Sequence, residues 1–122
     1  MPLILIVDDN EKNRRLAHDV LTAAGFQTIE AATGAAAITL AMEHVPDVVL
    51  MDLQLPDMSG TDALRELLRK EPTARIPVVA MSAMPLEGTS GWVVEAGFAG
   101  SIEKPIRTAT FPDEVRRYCA KG

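Results

Sequence analysis

Five side chains in this sequence are of types that handle phosphate and hard cations: Asp8, Asp9, Asp52, Ser82 and Lys104. Each stands at the end of a short apolar run, with LILIV before Asp8, VVLM before Asp52, VVAM before Ser82 and the stretch 100–103 before Lys104. If those runs are neighbouring parallel strands, residues remote in the chain meet on one rim. Three carboxylates gathered there repel one another, raise one another's pKa and cost stability unless a cation neutralises them. An all-oxygen set on one open side suits Mg²⁺, which prefers octahedral oxygen coordination and keeps several waters. Zinc would need Cys or His, and neither stands at these strand ends. With a divalent ion held, one carboxylate can attack a phosphoryl group while the metal and an ammonium neutralise the phosphoryl oxygens. Asp52 is the nucleophile on this reading because it stands alone at the end of a central strand, whereas adjacent Asp8 and Asp9 form a metal pair. Lys104 supplies the point charge, and the Ser82 hydroxyl a hydrogen bond to another phosphoryl oxygen.

Such a rim needs a scaffold, and the hydrophobic pattern supplies one. The run from Leu3 to Val7 is continuously apolar and rich in branched residues, as a strand buried on both faces requires. Covered faces imply helices. Residues 11–24 read as a helix, with Leu16, Val20 and Leu21 at helical spacing and Gly25 at the stop. Residues 26–30 read as a second strand and 35–44 as a second helix, ended by Val45-Pro46. A third strand, 48–51, closes on Asp52. A loop carrying Pro56, Ser59 and Gly60 leads to a helix over 62–70, and a fourth strand, 77–81, runs into Ser82. A helix over 86–96, a strand over 100–103 and a last helix over 109–120 with Phe111, Val115 and Tyr118 complete the pattern. Five alternating units in 122 residues predict an open α/β fold, a doubly wound parallel sheet, since right-handed crossovers put helices on both faces. A closed eight-unit barrel needs about twice the chain. In open sheets of this kind polar groups at the carboxyl ends of strands collect where the strand order reverses.

Composition bounds what such a site could serve. At 122 residues, 48% hydrophobic, the chain has room for one core, burying roughly 65% of the surface that its unfolded form exposes. The reading is a single domain over 1–122. A formal charge of -5 argues against nucleic acid or an anionic membrane as partner. The first apolar run stops at two aspartates, too short for a signal peptide or membrane span, so the expected location is cytoplasmic. One cysteine, Cys119, excludes an internal disulfide framework.

The motifs VDD at 7–9, MDLQLPDMSG at 51–60, MSA at 81–83 and EKPI at 103–106 resemble the receiver domain of two-component response regulators, over essentially the whole chain. The opening IVDDN and the DLQLP segment look like stand-alone regulators of the bacterial cell-cycle type. The resemblance implies a flavodoxin-like fold with strand order 2-1-3-4-5 and no output domain after Gly122. It also implies a phosphoryl group received from a sensor histidine kinase or histidine phosphotransfer protein. On that basis Asp52 is the acceptor, Asp9 and Asp52 ligate Mg²⁺ directly, Asp8 does so mainly through water, and the backbone carbonyl of Gln54 adds a ligand. Ser82 turns toward the phosphoryl group on activation, and Lys104 precedes a proline whose peptide bond is usually cis in the family. The new dianion orders mobile loops, and the signal leaves by contact with a downstream target protein through the helix 4, strand 5, helix 5 face, from a monomer or weak dimer.

Several residues depart from that pattern or read as ordinary. Ser101 stands where many receivers carry an aromatic switch, so activation is expected in the loop 82–87 and helix 4 instead. The segment 86–92 is a poor helix, because each interior Gly costs about 1 kcal/mol relative to Ala, so helix 4 is expected to be short, frayed or displaced. Trp92 there is either a partner anchor or a plug for space that the glycines leave. His18 and His44 read as surface or half-buried residues, Asp57 as a loop residue, the methionines as gap fillers and Arg14, Arg15, Arg116 and Arg117 as solvated charges. Two other functions compete: a receiver-like module that binds partners without phosphorylation, and an aspartyl-phosphate phosphatase of the dehalogenase type. The first expects a lost site residue, and all five are present. The second needs an Asp two positions after the nucleophile, where Gln54 stands.

Overall fold

The structure, a computed structural model, describes residues 1–82, 90–104 and 106–119, with the side chains of residues 90–92 left aside. Its elements alternate as β1 (Leu3–Val7), α1 (Glu11–Ala23), β2 (Gln27–Ala31), α2 (Gly34–His44), β3 (Val48–Asp52), α3 (Gly60–Arg69), β4 (Val78–Ser82), α4 (Ser90–Ala96), β5 (Gly100–Glu103) and α5 (Phe111–Cys119). The five strands form one parallel sheet in the order β2-β1-β3-β4-β5, the flavodoxin-like arrangement expected above.

Period-two alternation divides the core into two layers. Leu5, Val7, Val49 and Met51 point to one face of the sheet and meet Ala37, Ala41, Leu64, Leu67 and Phe98. Ile4, Ile6, Val48 and Leu50 point to the other and meet Leu21, Phe26, Phe111 and Val115. Both faces of β1 and β3 are covered, which is why these strands read as unbroken apolar runs. Each fully buried branched side chain contributes roughly 1.5–3 kcal/mol.

Local chemistry sets the helix starts. Asn10, Thr33 and Ser59 each accept a hydrogen bond from the backbone three residues on, at 3.0, 3.1 and 3.0 Å, and so cap α1, α2 and α3. Gly25 follows α1 with φ +97°, the left-handed geometry that glycine adopts without strain. Val45 takes the same region at φ 45° where α2 ends, an uncommon conformation for a β-branched residue.

Some expectations need correction. In α1 the buried residues are Ala17 and Leu21, while Leu16 is exposed. The helix points its wide apolar stripe one residue further round, because Ala17 lets α1 lie close to the sheet. Phe26 precedes β2 rather than opening it, and packs under α5 with the Arg116 guanidinium 5.2 Å above its ring. Arg116 is thus more than a solvated charge. The helix α3 begins at Gly60, two residues before the expected start, and α4 spans seven residues within the expected 86–96. Residues 83–89, with Met84, and Pro105 with its expected cis bond lie outside the described residues, as does the Trp92 side chain. Thr73, fully buried, donates its hydroxyl to the carbonyl of Leu67 at 2.6 Å and closes the end of α3. Cys119 is half-buried, and burial, with the Asp47 charge, pushes its thiol up, so it stays protonated and unreactive at neutral pH. No helix among the described residues is long and apolar enough to cross a membrane.

Candidate functional site

Strand register brings the singled-out residues together. Val7 pairs with Met51, Asp52 with Met81, and Ser82 with Glu103, so the residues that end β1, β3, β4 and β5 form one row at the carboxyl edge. Backbone bonds tie that edge laterally: Asp8 N–H donates to Ala31 O at 3.1 Å, Leu53 N–H to Met81 O at 3.3 Å and Lys104 N–H to Ser82 O at 2.7 Å.

On this row Asp8, Asp9 and Asp52 offer carboxylate oxygens that all lie within 4.8 Å of one another. Asp8 and Asp52 are buried and Asp9 is exposed, so the cluster opens to solvent on the Asp9 side. Lys104 Nζ donates to Asp8 Oδ2 at 2.8 Å and to Asp52 Oδ2 at 3.1 Å, reaching from the end of β5 past β4 to the ends of β3 and β1. The other Asp8 oxygen accepts from Asn10 N–H at 2.9 Å, and Asp52 Oδ1 accepts from Gln54 N–H at 3.2 Å. Ser82, buried at the end of β4, lines the same cleft as Asp9, Asp52, Gln54 and Lys104. All six residues singled out for the site in the sequence therefore share one cleft or border it.

Electrostatics follow from this geometry. Burial pushes the Asp52 carboxyl above its ordinary value, and the hydrogen bond from Gln54 and the charge of Lys104 offset this only in part. For Lys104, burial pulls the ammonium down, but hydrogen bonds and charge from Asp8 and Asp52 outweigh it and hold the group above its ordinary value. Lys104 stays charged across the physiological range. Among the described residues one ammonium faces three carboxylates and does not balance them, and the donor set is all oxygen, open on one side and without Cys or His. These residues fit a hard divalent cation.

Two contributors were not recognisable as such in the sequence. Asp57, expected as an ordinary loop residue, accepts from Gly34 N–H at 2.8 Å and Ala35 N–H at 2.9 Å, one through each oxygen. It thereby fastens the loop that follows Asp52 to the start of α2, and those two bonds hold its carboxyl below the usual carboxylate range. The stabilisation this represents is complete above the ordinary carboxylate pKa and is lost as pH falls through the lowered one. Asp57→Ala should therefore lower the unfolding temperature at neutral pH, with a gap to wild type that narrows on acidification. Thermal melts across that range check it, and a gap that stays constant with pH would overturn it. Arg14, expected as a solvated charge, is instead largely covered, 18% exposed, and donates to the backbone carbonyl of Asp8 at 2.8 Å.

A parallel sheet in this order, with an acidic triad and a strand-end lysine at its carboxyl edge, defines a class of signalling domain. The chain belongs to the response regulator receiver domain family, whose pattern matches residues 4–116; this is a family of two-component signalling proteins. Among relatives, it is 37% identical over 115 residues to the polar-differentiation response regulator DivK of Brucella ovis, covering 94% of each chain. The solved receiver domain of sensor histidine kinase PA1611 from Pseudomonas aeruginosa, which has a magnesium ion coordinated in its active site cleft, superposes with a TM-score of 0.88 at 29% identity over 98% of each chain. A response regulator structure from Chloroflexus aurantiacus reaches a TM-score of 0.91 at 24% identity, again over 98% of each chain, a likeness of fold.

Proposed function

We propose that this receiver domain accepts a phosphoryl group on Asp52 from the phosphohistidine of a sensor kinase or histidine phosphotransfer protein, and passes the signal on by protein contact. The observation that carries this reading is the convergence of three carboxylates and one lysine from three different segments, the ends of β1, β3 and β5, on a single strand edge.

The donor set suits Mg²⁺ held by Asp9, Asp52 and the Gln54 carbonyl, with Asp8 acting mainly through water; the ion would neutralise phosphoryl oxygens and draw donor and acceptor together. Asp52 supplies the nucleophile. One carboxylate oxygen attacks phosphorus in line, the phosphorus–nitrogen bond of the donor breaks, and the imidazole leaves with its electron pair to be reprotonated by solvent. Lys104, pinned between Asp8 and Asp52, is placed to move its third donor direction toward a phosphoryl oxygen. Ser82, at the next strand end, offers a hydroxyl to another. Downstream output rests on the order that this new dianion imposes at the strand edge. The likeness to DivK and to the magnesium-bearing PA1611 receiver supports both the class of donor and the choice of ion.

The test is direct. Incubation with acetyl phosphate and Mg²⁺ should add the mass of one phosphoryl group to the intact protein, and excess chelator should prevent it. A protein whose mass is unchanged under both conditions, although folded, would favour a phosphorylation-independent binding module.

A further inference from the structure

Asp9 is the exposed carboxylate of the cluster, and no hydrogen bond or ion pair among the described residues holds its side chain, so the backbone beside it sets where it starts from. The carbonyl of Asp8 belongs to the peptide unit that joins Asp8 to Asp9, and Arg14 Nη1 donates to it at 2.8 Å. The same guanidinium donates from Nε to Glu30 Oε1 at 3.1 Å, reaching from α1 to β2. The preceding peptide is held from the same strand, since Asp8 N–H donates to Ala31 O at 3.1 Å. The two peptide units that flank the Asp8 Cα are thus both anchored on the end of β2, one directly and one through Arg14. Glu30 neutralises Arg14, so this strut fixes the turn without adding net positive charge beside a cation site.

We infer that Arg14, oriented by Glu30, is a positioning residue for cation binding: it fixes the Asp8–Asp9 peptide and so presents Asp9 to the metal. The inference rests on the magnesium reading above. Partners that orient metal ligands typically matter by 10–100-fold in affinity, roughly the range expected of a strut of this kind.

Charge and geometry predict opposite signs, which makes the inference testable. Removing a cation near the site should tighten Mg²⁺ binding if Arg14 acts only through its charge. Removing a strut should weaken it. Calorimetric titration of Mg²⁺ into folded wild type, Arg14→Met, Arg14→Lys and the double variant Arg14→Met with Glu30→Gln decides between them, with thermal melts to certify the fold. Arg14→Met is expected to bind about tenfold more weakly. The double variant should be similarly weak, although it leaves the net charge unchanged. Arg14→Lys keeps the charge but cannot span both partners, so it should fall between wild type and Arg14→Met, and it carries the test if the larger change unfolds the protein. Unchanged or tighter binding in these variants, with wild type binding normally, overturns the strut. Failure of wild type itself to bind Mg²⁺ overturns the magnesium reading, and the strut with it.

Discussion

Asp52→Asn is expected to abolish phosphoryl uptake from acetyl phosphate and, at neutral pH without metal, to raise the unfolding temperature. The loss of uptake follows because an amide is no nucleophile toward phosphorus. The gain follows from burial. Asp52 sits in the sheet edge with its pKa raised, desolvation outweighing the help of Gln54 and Lys104. A carboxyl whose folded-state pKa lies above its unfolded value binds its proton more tightly when folded, so its contribution to stability is greatest below the unfolded value and is lost as pH rises through the folded one. At neutral pH the ionised group therefore costs stability, and the isosteric amide removes that cost while keeping the acceptor for Gln54 N–H. Intact-mass spectrometry with thermal melts in chelator reads both arms. A destabilised Asp52→Asn would mean that the Lys104 pair outweighs desolvation, and an Asp52→Asn protein that still gains phosphate would place the acceptor elsewhere.

Gly60→Ala is expected to destabilise the fold by about 1–3 kcal/mol, the range for forced overpacking, and to impair phosphoryl uptake in the protein that still folds. Gly60 is the first residue of α3, and a Cβ built on it would overlap the backbone carbonyl of Asp52 and sit 2.9 Å from the Cα of Leu53. Both neighbours are main chain and cannot swing aside. Gly60 N–H also donates to Leu53 O at 2.8 Å, and Gln54 bridges Ser59 across the loop, so α3 starts hard against the end of β3. Pushing the two apart displaces the segment from Asp52 to Gln54 that carries the acceptor and a proposed metal ligand. Alanine's better helix propensity, worth up to about 1 kcal/mol in a helix interior, opposes this only weakly at a first turn. A melting temperature equal to or above wild type would show that the approach is relaxed at no cost. At Gly34, by contrast, the atoms met belong to the Met58 side chain, which must shift but is not main chain, so Ala should cost less there than at Gly60.

What was legible in the sequence was what depends on local pattern. Unbroken apolar runs ending in Asp8, Asp52 and Ser82 declare strands covered on both faces, and their alternation with helical spacing leaves a doubly wound sheet as the economical solution. Element ends shifted by a residue or two, as at Phe26 and Gly60, because cap geometry and close packing decide them rather than hydrophobicity. The weak helix signal of 86–96 met α4 over Ser90–Ala96, with residues 86–89 outside the described residues.

Residue order along the chain sets which types end the strands, and therefore that carboxylates, a hydroxyl and an ammonium would face one edge once the strands aligned. Their unequal states come from the folded arrangement alone: Asp8 and Asp52 buried, Asp9 open to solvent, and Lys104 bonded to both buried carboxylates at sequence separations of 96 and 52. That arrangement alone made Arg14 a strut on Glu30 and Asp57 a brace on α2, though nearby charges in the chain look the same. The physical reason is that burial and long-range pairing depend on where distant segments meet, whereas periodicity records only which face of its own element a residue must turn inward.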